Sequence, residues 1–326
     1  MKVLVTGANG LLGHHVVFKL LENKHEVSVI VRNSRNIHFD LNKVRVCDGS
    51  FTDYRMLKAA AEGCDAIIHI AAVTDTEFLH YDEYTPINVE ASQQLIDVAN
   101  EHDIKRLVFI STANTIGFGT KTQQADETWP AQFPFTESFY ARSKTEAEAL
   151  FREASLLPDR HVIILNPTFI IGGYDTKPSS GKLILLGYKK HLMAIPRGGK
   201  NFVPAVDVAS AACNALTQGR NGERYLIAGE NMSFKRFYKL QSIIGGYDQH
   251  LLILPDFVMR LVGKFGDFLA MNEIKTELRS MNLRQLIIFE NYSNAKAKAE
   301  LSFEESPLID AIREAIDWFK KRGKIN

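Results

Sequence analysis

The sequence predicts an α/β protein in which a doubly wound parallel sheet is joined to a smaller, mostly helical part. Two observations carry this prediction. In the first half of the 326 residues, short apolar segments alternate with helical patterns. Strands that are almost wholly apolar and separated by helices are typical of a parallel sheet covered on both faces. After Asn166 this alternation breaks down and helical patterns predominate.

The elements of the first half follow one another at short spacings. The predicted strands are Lys2–Thr6, Glu26–Arg32, Val44–Cys47, Ala66–Ile70, Arg106–Ser111 and Val162–Asn166. The helical patterns between them are Leu11–Asn23, Tyr54–Ala61, Val89–Glu101 and Phe139–Ala154. In the first helix Val16, Val17, Leu20 and Leu21 share one face, as expected for a helix packed on a sheet.

The second half contains one further predicted strand, Arg224–Ala228, among several helices. The predicted helices are Leu183–Tyr188, Val206–Gln218, Phe234–Ile244, Asp256–Met271, Asn272–Met281 and Pro307–Lys321. The apolar stretch Phe257–Met271 carries interspersed charges, so it could lie in a membrane interface. Packing within the protein or against another subunit is the interpretation that we favour.

Composition excludes several classes of protein. A formal net charge of +1 provides no field that would attract nucleic acid or an anionic membrane. The three cysteines Cys47, Cys64 and Cys213 are widely spaced in apolar stretches, which indicates reduced thiols in a cytoplasmic protein. No apolar run reaches the length of a membrane span, and a strand that begins at the second residue leaves no room for a signal peptide.

A glycine-rich turn follows the first strand. Gly7 permits a sharp turn, Gly10 lets backbone N–H groups approach a pyrophosphate, and Gly13 lets the next helix pack close to the strand. The N-terminus of that helix points its dipole at the phosphates. A turn of this kind can also occur without a ligand, but its place between a strand and an amphipathic helix predicts a dinucleotide-binding Rossmann sheet.

Tyr140 and Lys144 lie one helical turn apart and therefore on the same helix face. A phenol ionises near pH ~10, and a neighbouring ammonium is expected to lower the pKa of Tyr140. Such a pair is common by chance on a surface helix. Its position after the fifth strand, which ends in Ser111 and Thr112, favours proton transfer to a substrate oxygen held by a hydroxyl.

Six motifs occur in the order typical of one superfamily. They are TGANGLLG at 6–13, IIHIAA at 67–72, INVEAS at 87–92, FISTANTIG at 109–117, YARSK at 140–144 and LNPTFIIG at 165–172. The chain resembles an extended short-chain dehydrogenase/reductase of the NAD(P)-dependent epimerase/dehydratase superfamily. The arginine-bearing second strand and the C-terminal helix resemble most the dihydroflavonol-reductase and 3β-hydroxysteroid-dehydrogenase branch.

The resemblance implies a role for each site residue. Tyr140 would be the acid/base, Lys144 would lower its pKa and hold the nicotinamide ribose, and Thr112 more than Ser111 would bind the reacting oxygen. Asn88 would help to shape the site. The implied cofactor-binding residues are Gly7, Asn9, Gly10, Leu11, Leu12, Gly13, Arg32, Arg35, Ser50, Phe51, Ala71, Ala72, Lys144, Pro167 and Ile170.

The resemblance also implies an organisation into domains and subunits. Residues 1–170 would form the dinucleotide-binding domain, with returns to it around 202–230. Residues 171–201 and 231–326 would form the substrate-binding portion. A homodimer would form through the helices Val89–Asn100 and Tyr140–Ala154, and no metal, nucleic-acid or membrane-spanning part is expected.

The chain departs from the family pattern at three places. Thr115-Ile116-Gly117 replaces the usual Val-Tyr-Gly, which leaves Ser111 and Thr112 both open as the polarising hydroxyl. The common Gly-Asp-Leu-Thr-Asp is Gly49-Ser50-Phe51-Thr52-Asp53, so an adenine contact by an aspartate requires Asp48. Pro204 stands where a histidine is common.

The end of the second strand predicts the type of cofactor. A carboxylate there would bind the ribose 2′-hydroxyl of NAD, whereas an arginine suits the 2′-phosphate of NADP. The chain has Arg32 and Arg35 and no carboxylate until Asp40. NADP is therefore favoured over NAD, although a solvated arginine pair is compatible with either.

Three functions follow from these residues. The first is an NADP-dependent reductase or dehydrogenase that acts on a carbonyl or alcohol of a small molecule. The second is a nucleotide-sugar epimerase or dehydratase with tightly bound NAD; Ala113-Asn114 replaces the Asp-Glu usual in dehydratases, which counts against elimination. The third is a non-catalytic NADP(H) sensor or scaffold. Apolar residues such as Phe78, Leu79 and Phe265 favour a substrate with an apolar body, without excluding a sugar nucleotide.

Overall fold

The computed structural model describes residues 1–326 and contains twelve strands. They are β1 (Lys2–Thr6), β2 (Glu26–Val31), β3 (Val44–Asp48), β4 (Ala66–His69), β5 (Arg106–Ile110), β6 (His161–Pro167), β7 (Phe169–Ile171), β8 (Leu192–Ile195), β9 (Gly199–Pro204), β10 (Arg224–Ile227), β11 (Glu230–Ser233) and β12 (His250–Ile253).

Eleven α-helices connect and cover these strands. They are α1 (Leu11–Glu22), α2 (Tyr54–Ala61), α3 (Ala91–Glu101), α4 (Phe139–Ala154), α5 (Lys182–Gly187), α6 (Ala205–Asn214), α7 (Phe234–Gly245), α8 (Asp256–Met271), α9 (Ser280–Ile287), α10 (Ala295–Leu301) and α11 (Leu308–Lys321). A π-helical segment, Thr85–Glu90, leads directly into α3.

Seven strands form one parallel sheet in the order β10-β6-β5-β4-β1-β2-β3. The order reverses between β1 and β4, so the chain winds outward first in one direction and then in the other. Ligands of such sheets bind at the carboxyl ends of the strands beside this switch point. The predicted doubly wound parallel fold is confirmed.

Alternation along the buried strands explains why helices cover both faces. In β1, Val3 and Val5 belong to the apolar cluster that includes α1 and α6, whereas Leu4 belongs to the cluster that includes α2, α3 and α4. Successive side chains of a strand point to opposite faces. A strand whose central residues are all apolar therefore has to be buried on both sides.

The rest of the chain adds two small sheets and a third apolar cluster. One sheet has the order β11-β9-β7, and the other pairs β12 with β8. The third cluster joins residues of α5, α7 and α11 to the first small sheet. The chain returns to the main sheet through β10, which pairs with β6. The division into two domains stays a prediction.

One predicted helix, Asn272–Met281, is wrong in its position. The observed helix α9 begins at Ser280, and a loop precedes it. Glu273 has a left-handed φ of 60°, which ends the helical path, and the Thr276 hydroxyl accepts a hydrogen bond from the N–H of Leu278. This local hydrogen bond competes with helix formation.

None of the helices combines the length and the apolar character needed to cross a membrane. The longest apolar helix, α8, buries Met259, Gly263 and Gly266. Its opposite face stays exposed. The packing within the protein that we expected for this helix therefore covers only one of its sides.

Candidate active site

The glycine turn after β1 is closed by contacts that exclude any side chain at two positions. Gly7 has a φ of 75°, and a Cβ there would lie 2.7 Å from the backbone nitrogen of Ala71. A Cβ at Gly13 would lie 2.1 Å from the carbonyl oxygen of Gly7. Gly10 differs, because its Cβ would meet only the Gly7 oxygen at 3.5 Å. The open side of the turn is therefore at Gly10, where the predicted pyrophosphate approaches.

The N-terminus of α1 offers unused hydrogen-bond donors beside Gly10. Gly10 is the N-cap residue and has no side chain to satisfy the first N–H groups of the helix, and the first turn contains no carboxylate. The N–H groups of Leu11, Leu12 and Gly13 have no acceptor within the helix. Free N–H groups and the positive end of a helix dipole form an anion site.

Arg32 and Arg35 lie at the carboxyl end of β2, on the other side of this turn. Both are exposed, and neither guanidinium takes part in an ion pair within the chain. The side-chain oxygen of Asn33 accepts a hydrogen bond from the N–H of Arg35 at 2.8 Å, which fixes the loop. Strand β2 stands three strand spacings from β5, or about 14 Å.

A chain of buried hydrogen bonds links β1 to the residue Asn88. The Thr6 hydroxyl accepts from the N–H of Ala71 at 3.2 Å and lies 2.7 Å from Nδ1 of His69. Nε2 of His69 lies 3.3 Å from the Ser92 hydroxyl, which donates to the Asn88 carbonyl at 2.7 Å. Burial lowers the pKa of His69 to about 3, so its ring is neutral and serves as a structural link.

Asn88 uses its whole amide to join two parts of the site. Its oxygen accepts from the N–H of Val73 at 2.8 Å, and its nitrogen donates to the Val73 carbonyl at 3.0 Å and to the Ser143 hydroxyl at 2.9 Å. Asn88 thus connects the segment after β4 to helix α4. The side chain is 1% exposed, and these three bonds occupy it.

Tyr140 and Thr112 meet at the carboxyl end of β5. Thr112 caps the short turn that follows β5 by accepting from the N–H of Asn114 at 3.2 Å. A polar contact of the phenol with the Thr112 hydroxyl lowers the pKa of Tyr140, but burial has the larger effect and raises it to about 12. The phenol therefore keeps its proton at neutral pH.

Lys144 lies one turn further along α4 and is almost completely buried. Its ammonium donates to the Ile110 carbonyl at 2.8 Å and stands 4.0 Å from the centre of the Phe109 ring. Burial lowers the pKa of Lys144 to about 7, and the carboxylate of Glu148 acts in the opposite direction. The ammonium of Lys144 faces the Ile110 carbonyl and makes no contribution to the raised pKa of Tyr140, so the effect that the sequence predicted for Lys144 stays a prediction.

A buried network beneath Thr112 was not predicted from the sequence. One oxygen of Glu148 accepts from the Thr115 hydroxyl at 2.7 Å and from the Asn166 amide at 2.6 Å. The same amide donates to the Thr112 carbonyl at 3.1 Å. Glu148 follows Lys144 by four residues on the same helix face, and this spacing is the signal that could have revealed it.

Ser111 differs from its neighbour Thr112. It is buried, and its hydroxyl has no hydrogen-bond partner within the chain. Buried polar groups without a partner are rare in proteins, and each requires an explanation. An incoming ligand at the carboxyl end of β5 could supply the partner.

The other predicted cofactor residues line the same edge of the sheet. Ala71 and Ala72 follow β4, and Ser50 and Phe51 follow β3, with the Ser50 hydroxyl 2.7 Å from that of Thr52. Pro167 ends β6, and Ile170 lies in β7. The carbonyl of Asn9 accepts from the Thr176 hydroxyl at 3.2 Å.

These features fit a nicotinamide dinucleotide. The turn is open at Gly10, free N–H groups follow it, and the unpartnered hydroxyl of Ser111 stands at the end of β5. The unpaired arginines after β2 and the Tyr140–Thr112 pair after β5 lie at opposite ends of one edge. An extended dinucleotide can span that edge.

Comparisons with known proteins agree with this geometry. The family model described as the NAD-dependent epimerase/dehydratase family matches residues 3–228. The chain is 27% identical to "Sterol demethylase protein B" of Methylococcus capsulatus, with 100% of both chains covered. It is 26% identical to a "Putative dihydroflavonol 4-reductase" of Synechocystis, with 98% of this chain and 95% of the relative covered.

A solved structure, "Crystal structure of gox2253", is similar over the whole chain. The two chains are 27% identical and superpose with a TM-score of 0.86, with 100% of this chain and 99% of the other covered.

Proposed function

The chain belongs to the NAD-dependent epimerase/dehydratase family, in its extended short-chain dehydrogenase/reductase branch, and from this we propose that it is an NADP-dependent reductase or dehydrogenase of a carbonyl/alcohol substrate. It is an NAD(P)-dependent enzyme of the oxidoreductase type. What we propose beyond this is the acid/base group, the preference for NADP and the class of substrate. One observation carries the proposal: the Thr112 hydroxyl after β5 is near enough to the Tyr140 phenol to lower its pKa, and Lys144 is buried one turn away on α4.

Tyr140 is the proton donor in this proposal. When bound, the nicotinamide cofactor delivers a hydride to the carbonyl carbon or takes one from the alcohol. Reduction places negative charge on the substrate oxygen, and the phenol of Tyr140 transfers its proton to that oxygen. A pKa of about 12 keeps the phenol protonated at neutral pH, so the proton that this step requires is present.

Thr112 and Lys144 support that transfer in different ways. The Thr112 hydroxyl stands beside the phenol, where it can donate a hydrogen bond to the same substrate oxygen and polarise the carbonyl. Lys144, with a pKa near 7, can exist as an ammonium or an amine at neutral pH. As an ammonium, it would stabilise the phenolate that remains after proton transfer and would bind the cofactor ribose.

Asn88 and Glu148 act as positioning residues in this proposal. Asn88 holds the segment after β4 against α4, and Glu148 holds the Thr112 backbone through Asn166. Ser111 would satisfy its free hydroxyl with the bound cofactor or substrate. Its neighbour Thr112 is the better candidate for the polarising group, because Thr112 contacts Tyr140.

The preference for NADP rests on Arg32 and Arg35. Both guanidiniums are exposed and unpaired at the end of β2, where a 2′-phosphate would bind. In calorimetric titrations, Arg32→Ala should weaken NADPH binding at least about tenfold and leave NADH binding nearly unchanged. Arg152→Ala, an exposed arginine on α4, is the matched control. Equal weakening of both cofactors would contradict the proposed contact.

An apolar carbonyl compound is the proposed substrate class. The loop around Phe78 and Leu79 lies near Tyr84 and Tyr140, and two relatives are named for a sterol and a flavonol substrate. We propose that residues 171–201 and 231–326 bind this substrate. A panel of cyclic and straight-chain ketones with NADPH tests the class by loss of NADPH absorbance.

Tyr140→Phe tests the role of the phenol. Removing one hydroxyl should lower kcat at least about a hundredfold and leave NADPH affinity unchanged. Tyr54→Phe, which removes a hydroxyl at the start of α2 that bonds to Glu101, should leave kcat unchanged. Full activity of Tyr140→Phe would remove Tyr140 from the mechanism.

Purification with tightly held NAD, together with epimerisation of a sugar nucleotide, would support the alternative function.

Two further proposals concern the oligomeric state and the cellular location of the enzyme. We propose that it forms a homodimer through α3 and α4, as the family resemblance implies. We also propose that it works in the cytoplasm, which the three free thiols of Cys47, Cys64 and Cys213 support. Sedimentation equilibrium tests the first proposal directly.

A further inference from the structure

Helix α8 presents an apolar stripe to solvent. Phe257, Leu261, Phe265 and Phe268 recur at helical spacing on one face, and each keeps 58–63% of its surface exposed. Monomeric soluble proteins rarely expose a contiguous row of large apolar side chains. We call this row the α8 stripe. It points away from the protein interior and has no partner within the chain.

The opposite side of α8 is tightly held, so the stripe cannot turn inward. A Cβ at Gly266 would lie 2.2 Å from the Leu278 carbonyl oxygen, and one at Gly263 would lie 2.8 Å from the Cα of Ser280. These glycines allow the backbone before α9 to approach closely. The close contact fixes the rotation of α8 about its axis and keeps the stripe exposed.

The exposed charges of α8 that form no ion pair are both positive. Arg260 and Lys264 are exposed and form no ion pair within the chain. The two carboxylates of the helix are engaged: Asp256 lies 3.9 Å from Arg197, and Asp267 accepts from the N–H of Ser280 at 2.9 Å. Two exposed cations therefore flank the apolar row, whereas both carboxylates of the helix are only half-exposed.

The strand that leads into α8 extends the apolar surface. Leu252 and Ile253 of β12 are exposed, as is Leu192 on the paired strand β8. Met271 at the other end of α8 is also exposed. The exposed apolar surface is therefore longer than the helix itself.

We propose that the α8 stripe docks on the surface of an anionic lipid bilayer, with α8 lying in the plane of the interface. Phenylalanine and leucine on one face with arginine and lysine beside them are the composition of interfacial helices. The net charge of +1 gives the protein no long-range attraction to such a surface, but anionic headgroups complement Arg260 and Lys264 at short range. At 16 residues, or about 24 Å, α8 is suited to lying on a bilayer and too short to cross it.

Charge argues against a second copy of the chain as the partner. Lys264 stands at the middle of α8, so a two-fold contact centred on the stripe would place two unpaired ammonium groups close together. Like charges that face each other in a contact destabilise it. An anionic surface meets the same lysine with attraction.

Docking there would also bring the loop that contains Phe78 and Glu83 close to the bilayer. The segment between α8 and α9 contacts the loop near Tyr84: Arg279 donates to the Phe78 carbonyl at 3.3 Å, and Lys275 pairs with Glu83 at 3.0 Å. An apolar substrate dissolved in lipid would enter beside this loop. The lipid contact itself requires neither substrate nor cofactor and so stands apart from the proposed function.

Co-sedimentation with vesicles tests the proposal. The full chain should bind vesicles of equal parts phosphatidylcholine and phosphatidylglycerol, and should bind less to phosphatidylcholine alone. Phe265→Ser combined with Phe268→Ser should lower the partition coefficient at least about tenfold. Leu156→Ser removes an even more exposed apolar side chain after α4 and should have no effect. Circular dichroism establishes that each variant is folded.

A second variant separates the contribution of charge. Arg260→Gln combined with Lys264→Gln should reduce the preference for anionic vesicles about tenfold and leave binding to neutral vesicles unchanged. Failure of the full chain to bind anionic vesicles would overturn the proposal, as would equal binding of the Phe265/Phe268 variant. If the chain instead associates with itself in the absence of vesicles, and the Phe265/Phe268 variant abolishes that association, the stripe binds a second copy of the chain.

Discussion

Lys144 is buried in surroundings that disfavour its charged form. Replacing it should therefore change how the stability of the protein depends on pH. The ordinary pKa of a lysine is 10.5, whereas burial lowers that of Lys144 to about 7. Above pH 7 the folded protein therefore holds Lys144 increasingly as the amine, and the unfolded chain keeps the proton up to pH 10.5. Unfolding takes up a proton in this window, so raising the pH stabilises the folded state.

The size of the effect follows from the two pKa values. Each pH unit inside the window contributes up to about 1.4 kcal/mol to the free energy of unfolding. Between pH 7 and pH 9 the ceiling is therefore about 3 kcal/mol. Lys144→Met keeps a long apolar side chain at this position and removes the titration. Relative to the parent protein, the variant should lose stability steadily as the pH rises from 7 to 9.

Urea unfolding at several pH values measures this difference. The parent and Lys144→Met should differ by an amount that changes by about 1–3 kcal/mol between pH 7 and pH 9. Lys43→Met, at an exposed lysine in the loop before β3, should show no such change. A difference between parent and Lys144→Met that is independent of pH would refute the account of a buried, nearly neutral lysine.

Two further substitutions test the turn and the support of the site. Gly13→Ala places a methyl group 2.1 Å from the Gly7 carbonyl oxygen, so α1 has to move, and calorimetry should show NADPH affinity lowered at least about tenfold; unchanged affinity would contradict the close packing. Asn88→Ala removes bonds to Val73 and Ser143, so urea unfolding should show a loss of about 2–4 kcal/mol; a loss below about 1 kcal/mol would mean that those groups find other partners.

The main sheet could be predicted because its signals are local. Strand β1 and the helices α2 and α4 begin and end at the predicted residues, since uninterrupted apolar runs and clear N-caps mark them. Asp53 caps α2 and Ser138 caps α4 through side-chain hydrogen bonds. The superfamily and the enzyme class follow from motifs on these elements, and the comparisons confirm both.

The small sheets could not be predicted because their partners are distant in sequence. Strand β7 has three residues, and its partner β9 begins with Gly199 and ends with Pro204, which is unlike a strand. Only the assembled protein brings them together. The position of α9 was wrongly predicted for a local reason instead, because the left-handed φ of Glu273 extends the loop before this helix.

The electrostatics of the site also lay beyond the sequence. A Tyr140–Lys144 spacing shows that two side chains share a helix face, but burial decides the pKa of each. The Ile110 carbonyl and the Phe109 ring, which receive the ammonium, belong to a different element of the fold. The spacing therefore predicts neighbours, and only the packing shows which neighbour each charge meets.

The stoichiometry of NADPH consumption distinguishes a reductase from an epimerase. The purified protein would be incubated with NADPH and an apolar ketone, and both NADPH loss and alcohol formation would be measured. We expect one NADPH to be consumed for each alcohol formed, and Tyr140→Phe to abolish both. Conversion of a sugar nucleotide with no net consumption of cofactor would contradict the proposed reductase function and identify an epimerase.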